Sequence, residues 1–190
     1  MRTIRQPGTP EKPRLLSVPA RNGGELRLVV PEGRDLVCGL IAALRAQGIQ
    51  SAAITLVGGT LARAQYLTCI PCDDGERVVA YGPPTQIDGP VAVIGGSGFL
   101  GLGEGGQPVL HCHAVLVDGG GKVHGGHLPP SQCPVGRGGA IVHAAIIDDA
   151  TLTVRHDDET NLPVFHPSSV DGAARDRMST HGKGVAHGPG

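Results

Sequence analysis

Tryptophan is absent from this chain of 190 residues, and only two tyrosines and two phenylalanines join the short aromatic count. A core must therefore be built from Val, Ile, Leu and Ala, and stacking platforms for single-stranded nucleic acid have little to be made from. A dominant sign of charge is missing as well. Sixteen Lys and Arg stand against seventeen Asp and Glu, for a formal net charge of -1, which excludes a general attraction to polyanions. The only modest basic cluster is Arg2, Arg5, Lys12 and Arg14 near the start. Long apolar runs are lacking too: Val91 to Ile94 and Val115 to Val117 are far too short to cross a bilayer. No charged-then-apolar leader follows Met1, and the cysteines (Cys38, Cys69, Cys72, Cys112, Cys133) are odd in number and scattered. The expectation is a reduced, cytoplasmic protein with no membrane partner.

Glycine and proline are plentiful, at 31 and 16, without a Gly-X-Y period, so the chain should turn often between short elements. Residues 1–24 read as a flexible arm, 25–168 as one domain and 169–190 as a polar, disordered tail holding His181 and His187. Within the domain, Asp35 to Gln47 predicts the main helix. Leu36, Val37, Leu40, Ile41 and Leu44 form one apolar stripe, and Asp35 suits the positive helix start. Strands are expected at Glu25 to Val30, Ser51 to Val57, Leu61 to Leu67, Arg77 to Tyr81, Val91 to Ile94, Val109 to Val117, Lys122 to Leu128, Ala140 to Ile147 and Thr151 to His156. Helix signal is early, strands follow, and no β-α-β alternation occurs. The fold class is α+β, with a mainly antiparallel sheet packed on one main helix.

The sharpest chemistry lies in Leu110-His111-Cys112-His113-Ala114 and, after a glycine turn, Gly125-Gly126-His127-Leu128. Strand alternation turns His111 and His113 to one face, and a return strand could bring His127 beside them. Three neutral imidazoles would make a metal site with one position left open for water or a ligand. The other reading of His111 and His113 is a pair of strand histidines hydrogen-bonded to backbone. Gly125 and Gly126 support the hairpin and allow close backbone approach. Imidazole ligation favours zinc among divalent ions. His124, odd-spaced from His127, should face away, and Cys112 should point into the core. Glu104 and His143 are the candidates for a catalytic base near the ion, with a core role the alternative for His143.

Two further motifs have bland readings. Cys69-Ile70-Pro71-Cys72 has redox or half-knuckle spacing, but no second pair and no following helix, so it reads as an incidental pair in a loop. Gly95-Gly96-Ser97-Gly98-Phe99-Leu100-Gly101-Leu102-Gly103 lacks the Gly-Lys-Ser/Thr of a phosphate loop and reads as a strand-linking loop leaning over the histidines. His166 is expected in solvated tail.

From about Glu25 to His166 the chain resembles the plants-and-prokaryotes-conserved (PPC, also PCC) domain family, which includes the domain attached to AT-hooks in plant proteins. The resemblance rests on Leu-Arg-Leu-Val-Val-Pro-Glu-Gly (26–33), Ala-Ile-Thr-Leu-Val-Gly-Gly-Thr-Leu (53–61) and Asp-Gly-Pro-Val-Ala-Val-Ile-Gly-Gly (88–96). Pro-Val-Leu-His-Cys-His-Ala (108–114) with Gly-Gly-His-Leu (125–128), and Arg155 to Leu162, complete it. What it implies is a stand-alone α+β domain forming a homotrimer, with metal on the residues matching His111, His113 and His127 in some members. Other members are labelled DNA-binding. This chain has no Arg-Gly-Arg of an AT-hook; Gly136-Arg137-Gly138 offers one arginine. Two functions follow: a zinc-dependent enzyme, a hydrolase in the first instance, acting on a small molecule, or a DNA-binding or regulatory protein whose metal is structural or senses a ligand.

Overall fold

The computed structural model describes residues 5–13, 15–72 and 75–170. One helix and twelve strands follow in the order β1 (Arg21–Val30), α1 (Leu36–Arg45), β2 (Ala52–Leu61), β3 (Ala64–Tyr66), β4 (Cys69–Pro71), β5 (Val79–Tyr81), β6 (Thr85–Ile87), β7 (Val91–Leu102), β8 (Pro108–Val117), β9 (Val123–His127), β10 (Val135–Asp148), β11 (Ala150–Asp157) and β12 (Leu162–Ser169). Eight strands make one sheet. Its antiparallel run is β1-β10-β2-β7-β8-β9, and the β11–β12 hairpin joins the far end of β7 through a single parallel pair, Thr153 to Leu102. The remaining strands form two two-stranded sheets, β3–β6 and, from the chain between them, the β4–β5 hairpin. Over the described residues the chain is thus α+β with a mainly antiparallel sheet and one helix. Among the described residues no helix is long and apolar enough to cross a membrane.

Helix α1 starts where Asp35 caps it. The Cys38 amide donates to Asp35 Oδ1 at 2.9 Å, and the Cys133 amide donates to the other oxygen at 2.8 Å. One carboxylate therefore satisfies an orphan helix donor and ties α1 to the segment before β10. Leu36, Val37, Leu40 and Leu44 are fully buried against one face of the sheet. That face supplies Ile54, Leu56, Leu100, Leu110, Cys112, Leu116 and Val142, so the core is aliphatic apart from Cys112 and Cys133.

Several elements run further than local sequence signals indicate. Strand β2 continues past Gly58-Gly59 to Leu61, because a Cβ at Gly59 would collide with Ala140 on the neighbouring strand and glycine lets the backbones meet. The glycine cluster expected as a loop over the histidines is the second half of β7. Side chains at Gly96 and Gly98 would strike the carbonyls of His113 and His111, so these glycines serve close strand packing, not a lid. Cys69 opens β4, which pairs Cys69 with Tyr81, so the cysteine pair lies on a short hairpin, not in a plain loop. Strand β1 begins at Arg21, opposite Asp148 of β10. His166, expected in solvated tail, pairs with Thr153 inside the β11–β12 hairpin and buries its Nε2. His181 and His187 lie outside the described residues.

Candidate metal centre

Strand β8 alternates strictly. Leu110, Cys112, Ala114 and Leu116 are buried, whereas His111, His113 and Val115 are exposed on the other face. Burial pushes the Cys112 thiol up to about 12, which removes it as a ligand between the two histidines. Antiparallel pairing with β9 sets His113 directly opposite His127. One potential ligand atom from each of His111, His113 and His127 lies within 4.8 Å of the others. His111 and His113 bring their Nε2 atoms to 2.9 Å, and the His111 and His127 rings stack with centroids 4.6 Å apart.

Two glycines make that pairing feasible. A Cβ at Gly125 would sit 2.9 Å from the Ala114 carbonyl oxygen, and one at Gly126 would collide with the Leu67 carbonyl. Without side chains there, β9 fits between β8 and the chain after β3. Leu67 and His127 exchange two backbone hydrogen bonds of 2.9 Å.

The donor set fits a metal ion. The His127 Nδ1 is buried without a hydrogen-bond partner, an uncompensated polar atom of the kind that an ion or a ligand satisfies. Burial, with His111 and His113 nearby, pushes His127 down to about 4; burial and His113 also lower His111. Both imidazoles are therefore neutral near pH 7, with lone pairs free to coordinate. The open face of the sheet supplies the remaining approach.

Register places the other candidates. His143 pairs with Thr55, Thr55 with Ser97, and Ser97 with His113, so all four share one row and one face. His143 is exposed, not in the core, and three strand spacings of about 4.8 Å put it ~14 Å from His113. Glu104 is exposed in the turn closing β7 and β8, five residues beyond Phe99, the partner of His111. At about 3.4 Å per residue it stands ~17 Å along the strands from the cluster. Within one chain neither reaches the site.

Sequence reasoning missed both tyrosines. The Tyr81 ring stacks on His127 with centroids 5.1 Å apart and planes at 24°. Tyr66 meets His124, with its hydroxyl 3.2 Å from Nδ1. Their only sequence signal is rarity: the chain has two tyrosines, and both lie against histidines of β9. The same sheet face carries exposed Val29, Val57, Ile94, Phe99, Val115 and Val123.

The model of the Plants and Prokaryotes Conserved (PCC) domain matches residues 19–142. The fold is similar to a metal-containing protein from Archaeoglobus fulgidus, with a TM-score of 0.66 at 21% identity, covering 80% of this chain and 99% of that one. A plant- and prokaryote-conserved protein from Pyrococcus horikoshii gives 0.65 at 20% identity, over 82% and 100% of the two chains. A proposed DNA-binding protein from Bacteroides thetaiotaomicron gives 0.61 at 14%, over 78% and 96%. The chain has no significant match among curated protein sequences.

Proposed function

This chain belongs to the Plants and Prokaryotes Conserved domain family, and from its histidine cluster we propose that it holds a divalent metal, zinc by preference, and acts on a small molecule. The observation that carries the reading is the convergence of His111, His113 and His127 within 4.8 Å on the open face of the sheet. Three imidazoles with solvent access match the ligand number of a catalytic site better than a closed structural one. Bound there, the ion would supply Lewis acidity and lower the pKa of a water molecule. Hydrolysis of a small carbonyl compound is the reaction class we assign. The chain's own part is to present three imidazole nitrogens and to wall the site with Tyr81 beside His127 and Phe99 beside His111. A relative named as metal-containing supports the reading.

The second reading, DNA binding or regulation with a structural or ligand-sensing metal, draws on relatives named for proposed DNA binding. The apolar side chains around the histidines and the balanced charge favour a small molecule over a phosphate backbone. For assembly we propose a homotrimer in which the apolar side chains of the open face are covered by neighbouring copies.

Elemental analysis of the purified chain tests the metal. About one zinc per chain is expected, followed by perturbation of the site by carboxylate and ester ligands. A chain that takes up no metal even after loading, or loaded protein indifferent to all such ligands while binding duplex DNA, would overturn the enzyme reading.

A further inference from the structure

Strand β9 carries its metal-ligand candidate in an unusual way: His127 is joined to His124 through Gly125-Gly126, the most pliable dipeptide a strand can have. Left to itself, such a link would let the His127 ring wander from His111 and His113. On the other side of the glycines, however, His124 is held at both ring nitrogens. Its Nε2 lies 2.9 Å from Asp118 Oδ2, and its Nδ1 lies 3.2 Å from the Tyr66 hydroxyl. A carboxylate only accepts, so Nε2 carries the proton in the neutral ring, and Nδ1 accepts from the phenol. Asp118 is fixed in turn, its Oδ1 accepting from the amides of Gly120 and Lys122 at 2.9 Å each. The His124 side chain is only 9% exposed. Next to Tyr66, Leu67 makes the two backbone bonds to His127.

We infer that Asp118, His124 and Tyr66 are positioning residues of the histidine centre, a clamp that fixes β9 on both edges so that His127 is presented to His111 and His113. None of the three belongs to the histidine cluster itself. The clamp rests on the metal reading above for its purpose, but its geometry is that of the chain alone. Its effect on an ion is through His127: a looser ring weakens coordination without removing a ligand, so the site still fills at saturating metal.

The test is a cobalt(II) titration of chelator-treated full-length protein, read by the visible d–d bands and by calorimetry. Tyr66→Phe deletes one hydroxyl and leaves the ring in place. It and His124→Ala should each raise the cobalt Kd by about tenfold or more, within the range for partners that orient a metal ligand, with full stoichiometry at saturation. Asp118→Asn, whose oxygen can keep the two turn amides while its NH2 donates to Nε2 of the other His124 tautomer, should bind nearly as wild type does, whereas Asp118→Ala should follow His124→Ala. Tyr66→Phe and His124→Ala with wild-type Kd and spectrum, whatever their melting temperatures, would overturn the clamp. Failure of the wild type to take cobalt would overturn the metal reading instead. A second measurement on metal-free protein then decides the clamp: the His127 ring resonances should shift and broaden in Tyr66→Phe, and unchanged resonances refute it.

Discussion

His113 stands beside His111 on its own strand and opposite His127 across the ladder, so its ring meets both of the others. His113→Ala should abolish zinc binding by elemental analysis while the melting temperature of the metal-free protein stays within a few degrees, because the side chain is exposed and outside the aliphatic core. Retained zinc would place the ion elsewhere. The same cluster sets an acid response. His127 is pushed from the usual 6.5 down to about 4 in the folded chain. Between those values the unfolded chain binds a proton that the folded one refuses, so stability rises with pH across that window. Chelator-treated protein should therefore lose stability as pH falls from about 6.5 to 4, and His127→Gln should flatten that part of the curve. Gly126 is the most constrained position nearby, since any Cβ there meets the Leu67 carbonyl. Gly126→Ala should cost about 1–3 kcal/mol of stability, the range for overpacking, and should depress metal uptake. Denaturant melts with metal analysis of the same samples check both.

At the scale of elements, what the sequence made legible was whatever is written in periodicity. Strand β8 declares itself by alternation: His111 and His113 out, Cys112 and Ala114 in. Helix α1 is equally plain, from its Asp35 cap to the stripe of Leu36, Val37, Leu40 and Leu44. Leu40→Ala should accordingly cost about 2–5 kcal/mol in denaturant unfolding, the range for emptying a buried leucine site. A cost under 1 kcal/mol would mean the helix is loosely seated. The second half of β7 was not legible, because Gly95, Gly96, Gly98 and Gly101 carry no side chain to alternate. Their reason is the neighbouring backbone, which only the sheet reveals. Strand β12 was hidden for a related cause: Pro163 and Pro167 interrupt it, yet proline is tolerated at such an edge, where ladder bonds are needed on one side only. The site divided in the same way. His111, His113 and His127 share a strand or a hairpin and could be grouped by spacing. Tyr66 and Tyr81 reach β9 from separate two-stranded sheets, and no local pattern joins residues so far apart in sequence.

For the whole molecule, the open sheet face decides the partner. Val29, Val57, Ile94, Phe99, Val115 and Val123 are each between 46% and 66% exposed, and none is screened by the helix, which packs on the other face. Covering them with further copies of the chain gives the proposed trimer. Val115→Glu or Phe99→Glu should shift the assembly toward monomer in sedimentation at several concentrations; wild-type protein that stays monomeric throughout would rule the trimer out. The strand order carries a different consequence, for biogenesis. Among the described strands β1 pairs only with β10, Val30 lying opposite Ala140. During synthesis at about 5–20 residues per second, roughly a hundred further residues take ~5–20 s to appear. Throughout that interval the first strand has left the ribosome with no neighbour to zip onto. Nascent chains stalled before Val135 should therefore recruit holding chaperones or aggregate, and release from both should coincide with the emergence of β10, the strand that joins the two ends of the message in one sheet.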